Sequence, residues 1–392
     1  MAERTTARMT LVLVCAGLAT FADLYAIQGV LPLVAAEFGV DAATAGLTVS
    51  AATLGLGLAV LPWVAIGERI GRVRAMRIAV LGAAALSLLS AAAPTIESLL
   101  VARLLCGALL AAVPVLAIAY VHEQLGGTAA ARAVAAYVAG TTLGGASGRL
   151  LAGVIADPLG WRTALVLVAM LSAAAAVTFS LLARGGARTG LARPGLVRGV
   201  RTALANPGLS TIALQTFLLI GVFVGMYSYL TFRLQEEPYS FSPATIALLT
   251  LCYLVGTVTA RLSAGFVARL GYRRTVVLGV AGMAAGLGLT CFEPILAVVA
   301  GLAVFTGAWF LTHAAASAET GARAPADYRA HASAVYTIAF YLGSAVGGWA
   351  LGLLFHAGGW AGFALGGGAL VAVAGVIALA SGPRREPSAA AA

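Results

Sequence analysis

Runs of about twenty apolar residues recur along the whole chain, near 10–34, 44–66, 76–94, 97–121, 132–155, 161–182, 208–232, 243–266, 275–292, 295–316, 331–355 and 360–380. At about 1.5 Å per residue, each is long enough to cross a hydrocarbon core of about 30 Å. Backbone in hydrocarbon must hydrogen-bond to itself, so such runs fold as helices. A soluble chain of this length would carry about a quarter of its residues as charges. Here only 10% of 392 residues are charged and 61% are hydrophobic, too little polar surface to wet a globule. The pattern predicts an all-α integral membrane protein with twelve transmembrane helices.

The formal net charge is +10, every basic residue is arginine, and the arginines lie mostly in short segments between apolar runs. With no soluble basic face and no interleaved stacking aromatics, this is not a nucleic-acid-binding pattern. Alternate connecting segments hold Arg4, Arg8, Arg69, Arg72, Arg74, Arg77, Arg132, Arg184, Arg188, Arg193, Arg198, Arg201, Arg269, Arg273, Arg274, Arg323, Arg329, Arg384 and Arg385, while the opposite ones hold only Arg162 and Arg233. The positive-inside rule then places both termini in the cytoplasm. Abundant Ala, Gly and Arg without Lys suggest a GC-rich bacterial source, hence a bacterial inner membrane. Cys15, Cys106, Cys252 and Cys291 fall inside predicted spans without metal or redox spacing and read as small apolar fillers; no metal or cofactor is expected. The first apolar run continues past Asp23 with no small-residue cleavage site, so it is expected to be a retained helix, not a signal peptide.

The two halves repeat one another. Tyr137, Leu143, Gly144, Gly148, Gly153, Gly160 and Trp161 recur 199 residues later as Tyr336, Leu342, Gly343, Gly347, Gly352, Gly359 and Trp360. The expected organisation is a six-helix half over 1–183, a basic cytoplasmic linker over 184–207, and a second six-helix half with a short tail over 208–392. Parallel repeats of this kind rock around a cavity at the membrane midplane.

Residues 64–76, with Glu68-Arg69-Ile70-Gly71-Arg72, resemble the loop signature of the major facilitator superfamily between its second and third spans, and Arg269-Leu270-Gly271 is a second copy. Glu68 stands for the usual aspartate, Val64 for a glycine, and Ala268 replaces the acid of the second copy. Arg103-Leu-Leu-Cys-Gly107 resembles the motif that supplies a buried arginine in drug–proton antiporters, with Cys106 in place of a common glutamine. Leu143–Gly153 resembles their glycine-rich motif, with Arg149 in place of a proline. The first span, Asp23–Pro32, resembles a bacterial subgroup of drug or arabinose efflux permeases. The resemblance implies a monomeric secondary transporter with a gating loop at Glu68, Arg69, Gly71 and Arg72.

Ionisable groups inside spans are costly and usually serve a task. Asp23 lies about 21 Å from one end of its helix, and Arg103 about 8 Å from the opposite end of its own. These depths coincide in a core of about 30 Å. Burial and a nearby guanidinium act oppositely on a carboxyl's proton affinity, so Asp23 with Arg103 is the candidate proton-coupling pair; a static ion pair is the alternative. When Tyr25 is matched to Tyr227, Asp23 aligns with Gly225, so any coupling belongs to the first half. Arg149 is expected to bind an anionic substrate, offset a carboxylate, lie buried at the helix interface or snorkel, and Arg261 and His313 to snorkel. Tyr25, Gln28, Arg149, Gln215, Met226, Tyr229, Tyr336 and Tyr341 are candidate cavity residues, with Gln28 pointing some 140° away from Asp23. An apolar, aromatic cavity suits amphipathic organic molecules better than sugars. His122, Glu123, Glu319, Arg323 and Asp327 are expected in salt bridges, and Asp41 and Ser242 as N-caps. The leading expectation is export of a small organic compound in exchange for protons, with symport uptake second and a non-transporting sensor third. No phosphate-cradling loop, metal cluster or nucleophile elbow suggests an enzyme.

Overall fold

A computed structural model describes residues 2–185 and 195–380, and the regular elements among them are all helical. Arg188, Arg193, Arg384 and Arg385 lie outside the described residues. Nine helices among the described residues are long and apolar enough to cross a membrane: Ala7–Phe38, Ala42–Ile70, Arg72–Ala91, Ile96–Gln124, Gly127–Leu182, Pro207–Gln235, Pro243–Leu270, Ile295–Arg323 and Arg329–Ala380. Two of them are double. Gly127–Leu182 breaks at Gly160 (φ 78°), and Arg329–Ala380 breaks at Gly358 and Gly359 (φ 56°). Positive φ strains any residue with a Cβ, which is why the repeat keeps glycine at both breaks. Tyr272–Leu289, whose first turn is polar, completes the predicted twelve. Below, spans are numbered one to twelve in chain order, the fifth and sixth being 127–159 and 161–182, the eleventh and twelfth 329–357 and 360–380.

The repeat is physical. A Cβ on Gly144 would lie 2.9 Å from Leu18 Cα, and one on Gly148 would lie 2.8 Å from Ala22 Cα, so the fifth span packs backbone-to-backbone on the first. In the second half Gly343 meets Phe217 and Gly347 meets Gly221, which seats the eleventh span on the seventh in the same way. Small residues permit this approach. The packed partners are also 199 residues apart, so the residue equivalent to Asp23 is Val222, not Gly225 as the tyrosine match suggested. Neither carries a charge.

At the arginine-poor end each half caps the last carbonyls of a span with one arginine. Arg162 donates to the Ala91 and Ala93 carbonyls at the end of the third span, and Arg233 to those of Thr290 and Phe292 at the end of the ninth. These carbonyls have no helical partner, and the two cations predicted for this end are both occupied in satisfying them. Asp41 and Ser242 cap the second and eighth spans through the Thr44 and Thr245 N–H groups, as predicted.

The halves lean together at this end. Tyr229 of the seventh span reaches Gly46 of the second, and Gly153 of the fifth abuts Ala247 of the eighth. The second and eleventh spans pack along Ser50–Gly348 and Gly57–Leu342. Toward the arginine-rich end the fourth and tenth spans pack mainly within their own halves among the described residues. The short helix Leu196–Ala205 lies against the seventh and eleventh spans, with Gly199 against His331. Outward-facing side chains such as Leu89, Leu181, Leu296 and Leu365 are largely exposed, as an apolar solvent requires.

Candidate functional site

The first helix tightens into a 3-10 turn at Ile27–Val30, about two-thirds of the way along Ala7–Phe38. Immediately before it, the carbonyls of Asp23 and Leu24 accept hydrogen bonds from Arg103 Nη1 (3.2 Å) and Nη2 (2.5 Å). The Asp23 carboxylate itself stands 4.0 Å from the guanidinium. Both side chains are buried. The carboxylate also accepts from the Ser87 hydroxyl and lies 3.4 Å from the Cys106 sulfur. Cys106 is therefore a polar partner of the only acid at this depth among the described residues, not the inert filler its spacing suggested. The depth calculation from the sequence brings Asp23 and Arg103 together correctly. Ser87 carried no signal, because a lone serine in an apolar run has no pattern. Chemically, the arrangement offers a proton-accepting carboxylate beside a guanidinium.

Arg149 sits in the fifth span with 3% of its surface exposed, so it does not snorkel. Its Nε donates to Gln28 Oε1 (2.6 Å) and its Nη1 to the Gly145 carbonyl (2.8 Å). The guanidinium carbon lies 4.1 Å from the centre of the Tyr25 ring, 4.9 Å from Tyr253 and 5.7 Å from Tyr227. Such cation–π contacts contribute about 2 kcal/mol when desolvated. Among the described residues no carboxylate lies within ion-pairing distance of Arg149. Gln28 in turn donates to Ser228 Oγ (2.8 Å) and the Val224 carbonyl (2.9 Å) of the seventh span, linking the halves. Beside Arg149 is a cavity of about 20 Å³, lined by Gln28, Tyr227, Leu230, Thr231, Ile246 and Thr250 among others.

The structure separates the other predicted cavity residues. Gln215 donates to the Ala374 carbonyl of the twelfth span, Met226 is fully buried in the core, and neither lines the cavity beside Arg149. Tyr229 donates to the Gly348 carbonyl and stacks on Phe355 at the junction of the halves. Tyr341 packs in the same cluster as Tyr25, facing the first half. Tyr336 binds His313, whose Nδ1 is 2.7 Å from its hydroxyl. His313 also stacks on Trp309 and packs against Phe340, so it faces inward and does not snorkel; Arg261 is exposed. Tyr227 and Tyr253, the rings over Arg149, were missed: Tyr227 lies in an aromatic-rich stretch, and Tyr253 is a lone aromatic in an apolar run with no pattern around it.

In the loop signature, Glu68 and Arg69 are exposed, and Gly71 (φ 91°) makes the turn between the second and third spans. Arg72 pairs with Glu123 at the end of the fourth span (3.0 Å). In the second half Glu319 pairs one turn along its own helix with Arg323 (2.8 Å). His122 and Asp327 are exposed at the same end.

Comparison with known proteins agrees with this architecture. The Major Facilitator Superfamily model matches residues 13–240 and 234–392. The chain is 33% identical to the inner membrane transport protein YnfM of Escherichia coli over 96% of its length and 90% of that protein. Among solved structures it is similar to the nucleoside transporter NupG (TM-score 0.78, 13% identity, covering 95% of this chain and 98% of that one) and to a D-xylose–proton symporter (TM-score 0.74, 16% identity, 97% of each). At such identities the solved structures establish the fold alone. Two matching halves, twelve spans and a polar centre between them make this chain a multi-pass membrane transporter of the major facilitator superfamily.

Proposed function

We propose that the protein exports a small amphipathic organic compound in exchange for protons, by rocking its two halves about the midplane. In this reading both termini are cytoplasmic, residues 184–207 form the cytoplasmic linker, and the arginine-rich end opens to the cytoplasm. A monomer suffices, because the cavity lies between the halves of one chain. Asp23 is the proton site and Arg103 its counter-charge. The loop Glu68–Arg72, tied to the fourth span by Arg72–Glu123, gates the cytoplasmic end.

The observation that carries this reading is the buried carboxylate of Asp23 within 4.0 Å of Arg103, on the helix whose Gln28 reaches across to the second half. A group at that position feels any displacement of the first span against the third and fourth. Moving Arg103 away disfavours the ionised carboxylate and promotes protonation, which couples proton uptake to rocking.

The test uses everted membrane vesicles energised to an acidic interior, with proton release recorded on adding organic cations, organic anions, neutral antibiotics, sugars and amino acids. Release by wild type and none by Asp23→Asn supports the reading. Full-rate exchange by Asp23→Asn removes Asp23 as the proton site. Proton movement together with the solute in right-side-out vesicles would establish symport uptake instead.

A further inference from the structure

We propose that Arg149 is the recognition point for a small organic monoanion, so that the transported compound is a carboxylate with an apolar body. This deepens the export reading and rests on it only for the claim that the bound anion is carried.

The ionisable side chains buried at midspan among the described residues include two arginines, Arg103 and Arg149, and one acid, Asp23. That acid stands beside Arg103. Arg149 is left with neutral partners, the Gln28 amide and the Gly145 carbonyl, and with tyrosine rings. A guanidinium sealed from water without a counter-ion keeps a strong preference for an anion, and its planar fork matches a carboxylate.

The position of Arg149 points the same way. Arg149 and Gln28 belong to the first half, while Tyr227, Leu230, Ile246 and Thr250 on the opposite wall belong to the second. The site is therefore divided by the rocking movement itself. In the present state the space beside the guanidinium is about 20 Å³, enough for a water-sized group only. When the halves part at this end, Tyr227 and Tyr253 withdraw from the guanidinium, and the Gln28 amide loses Ser228 and Val224 as acceptors. The opened site then presents a cation and a free amide donor against apolar and threonine walls. These features complement an anionic head and an apolar body, and a lipophilic cation would meet like charge at the same place.

The experiment measures equilibrium binding to the purified full-length protein in detergent, by titration calorimetry. The probes are benzoate and hexanoate, their neutral amides, and tetraphenylphosphonium. Wild type is expected to bind at least one carboxylate about tenfold or more tighter than its amide and tetraphenylphosphonium more weakly still. Arg149→Gln should abolish the preference for carboxylate over amide, and Arg149→Lys should retain part of it. The proposal is overturned if amide and carboxylate bind wild type equally, if the cation binds tightest, if neither carboxylate binds at millimolar concentration, or if Arg149→Gln keeps the preference. The wild-type comparison needs no variant, so misfolding of Arg149→Gln leaves the test intact. No proton gradient is present, so failure of the antiport reading would leave a positive binding result standing.

Discussion

Replacing Gly148 by alanine should loosen the whole first half through one methyl group. The added Cβ would collide with the Ala22 carbonyl oxygen and lie 2.8 Å from Ala22 Cα and 2.9 Å from its carbonyl carbon. Carbon atoms in contact sit at about 3.5–4.0 Å, so the two helices must separate by about 1 Å. None of the three atoms is the end of a flexible side chain, and the strain cannot be relieved by a rotamer change. Overpacking of this kind costs about 1–3 kcal/mol. The displacement also pushes the first span toward the third and fourth, where Asp23 already touches Ser87 and Cys106. The control is Gly265→Ala, an exposed helical position where an added Cβ meets nothing within 4 Å. There alanine should stabilise by up to about 1 kcal/mol through helix propensity. Thermal unfolding of detergent-purified protein, followed by tryptophan fluorescence, should show Gly148→Ala melting below wild type and Gly265→Ala at or above it. Equal melting of the two variants would refute the close-packing argument.

Two further tests address the helix ends. Asp41→Ala removes the acceptor 2.7 Å from the Thr44 N–H and should cost about 1 kcal/mol near neutral pH. That N–H holds the Asp41 carboxyl below its usual range, so the cap contributes above the unfolded pKa of about 4 and is lost as pH falls through the lower folded value. The melting difference between wild type and variant should therefore shrink only in acid. Arg72→Glu and Glu123→Arg should each slow transport, and the double swap should recover it, with a coupling of about 0.5–3 kcal/mol from a double-mutant cycle. Single and double variants of equal activity would show that the pair does not gate.

The elements of this protein were almost entirely legible in its sequence. Span length follows from bilayer thickness, so twelve apolar runs became twelve helices. The glycines repeated at a spacing of 199 proved to be the packing residues of the fifth and eleventh spans. The encounter of Asp23 with Arg103 followed from depth alone, because two helices of known direction share one membrane plane. The facing of each helix was less legible. Gln215 and Met226 were grouped by spacing into a cavity face, yet the Gln215 amide bonds to the Ala374 carbonyl, Met226 is fully buried, and the cavity beside Arg149 is lined by Tyr227 and Leu230 instead.

The physical reason separates the two kinds of information. Length, hydropathy, charge placement and internal repetition act locally or through the bilayer, and they determine span number, the grouping into halves and the depth of a buried charge. Rotation about a helix axis is different in a chain that is apolar on every side, because neither lipid nor protein interior distinguishes one leucine-rich face from another. Only the assembled bundle decides it. The tertiary structure alone therefore showed that Cys106 touches Asp23, that His313 turns inward onto Tyr336, and that Arg149 is enclosed by tyrosines with no acid among the described residues to meet it.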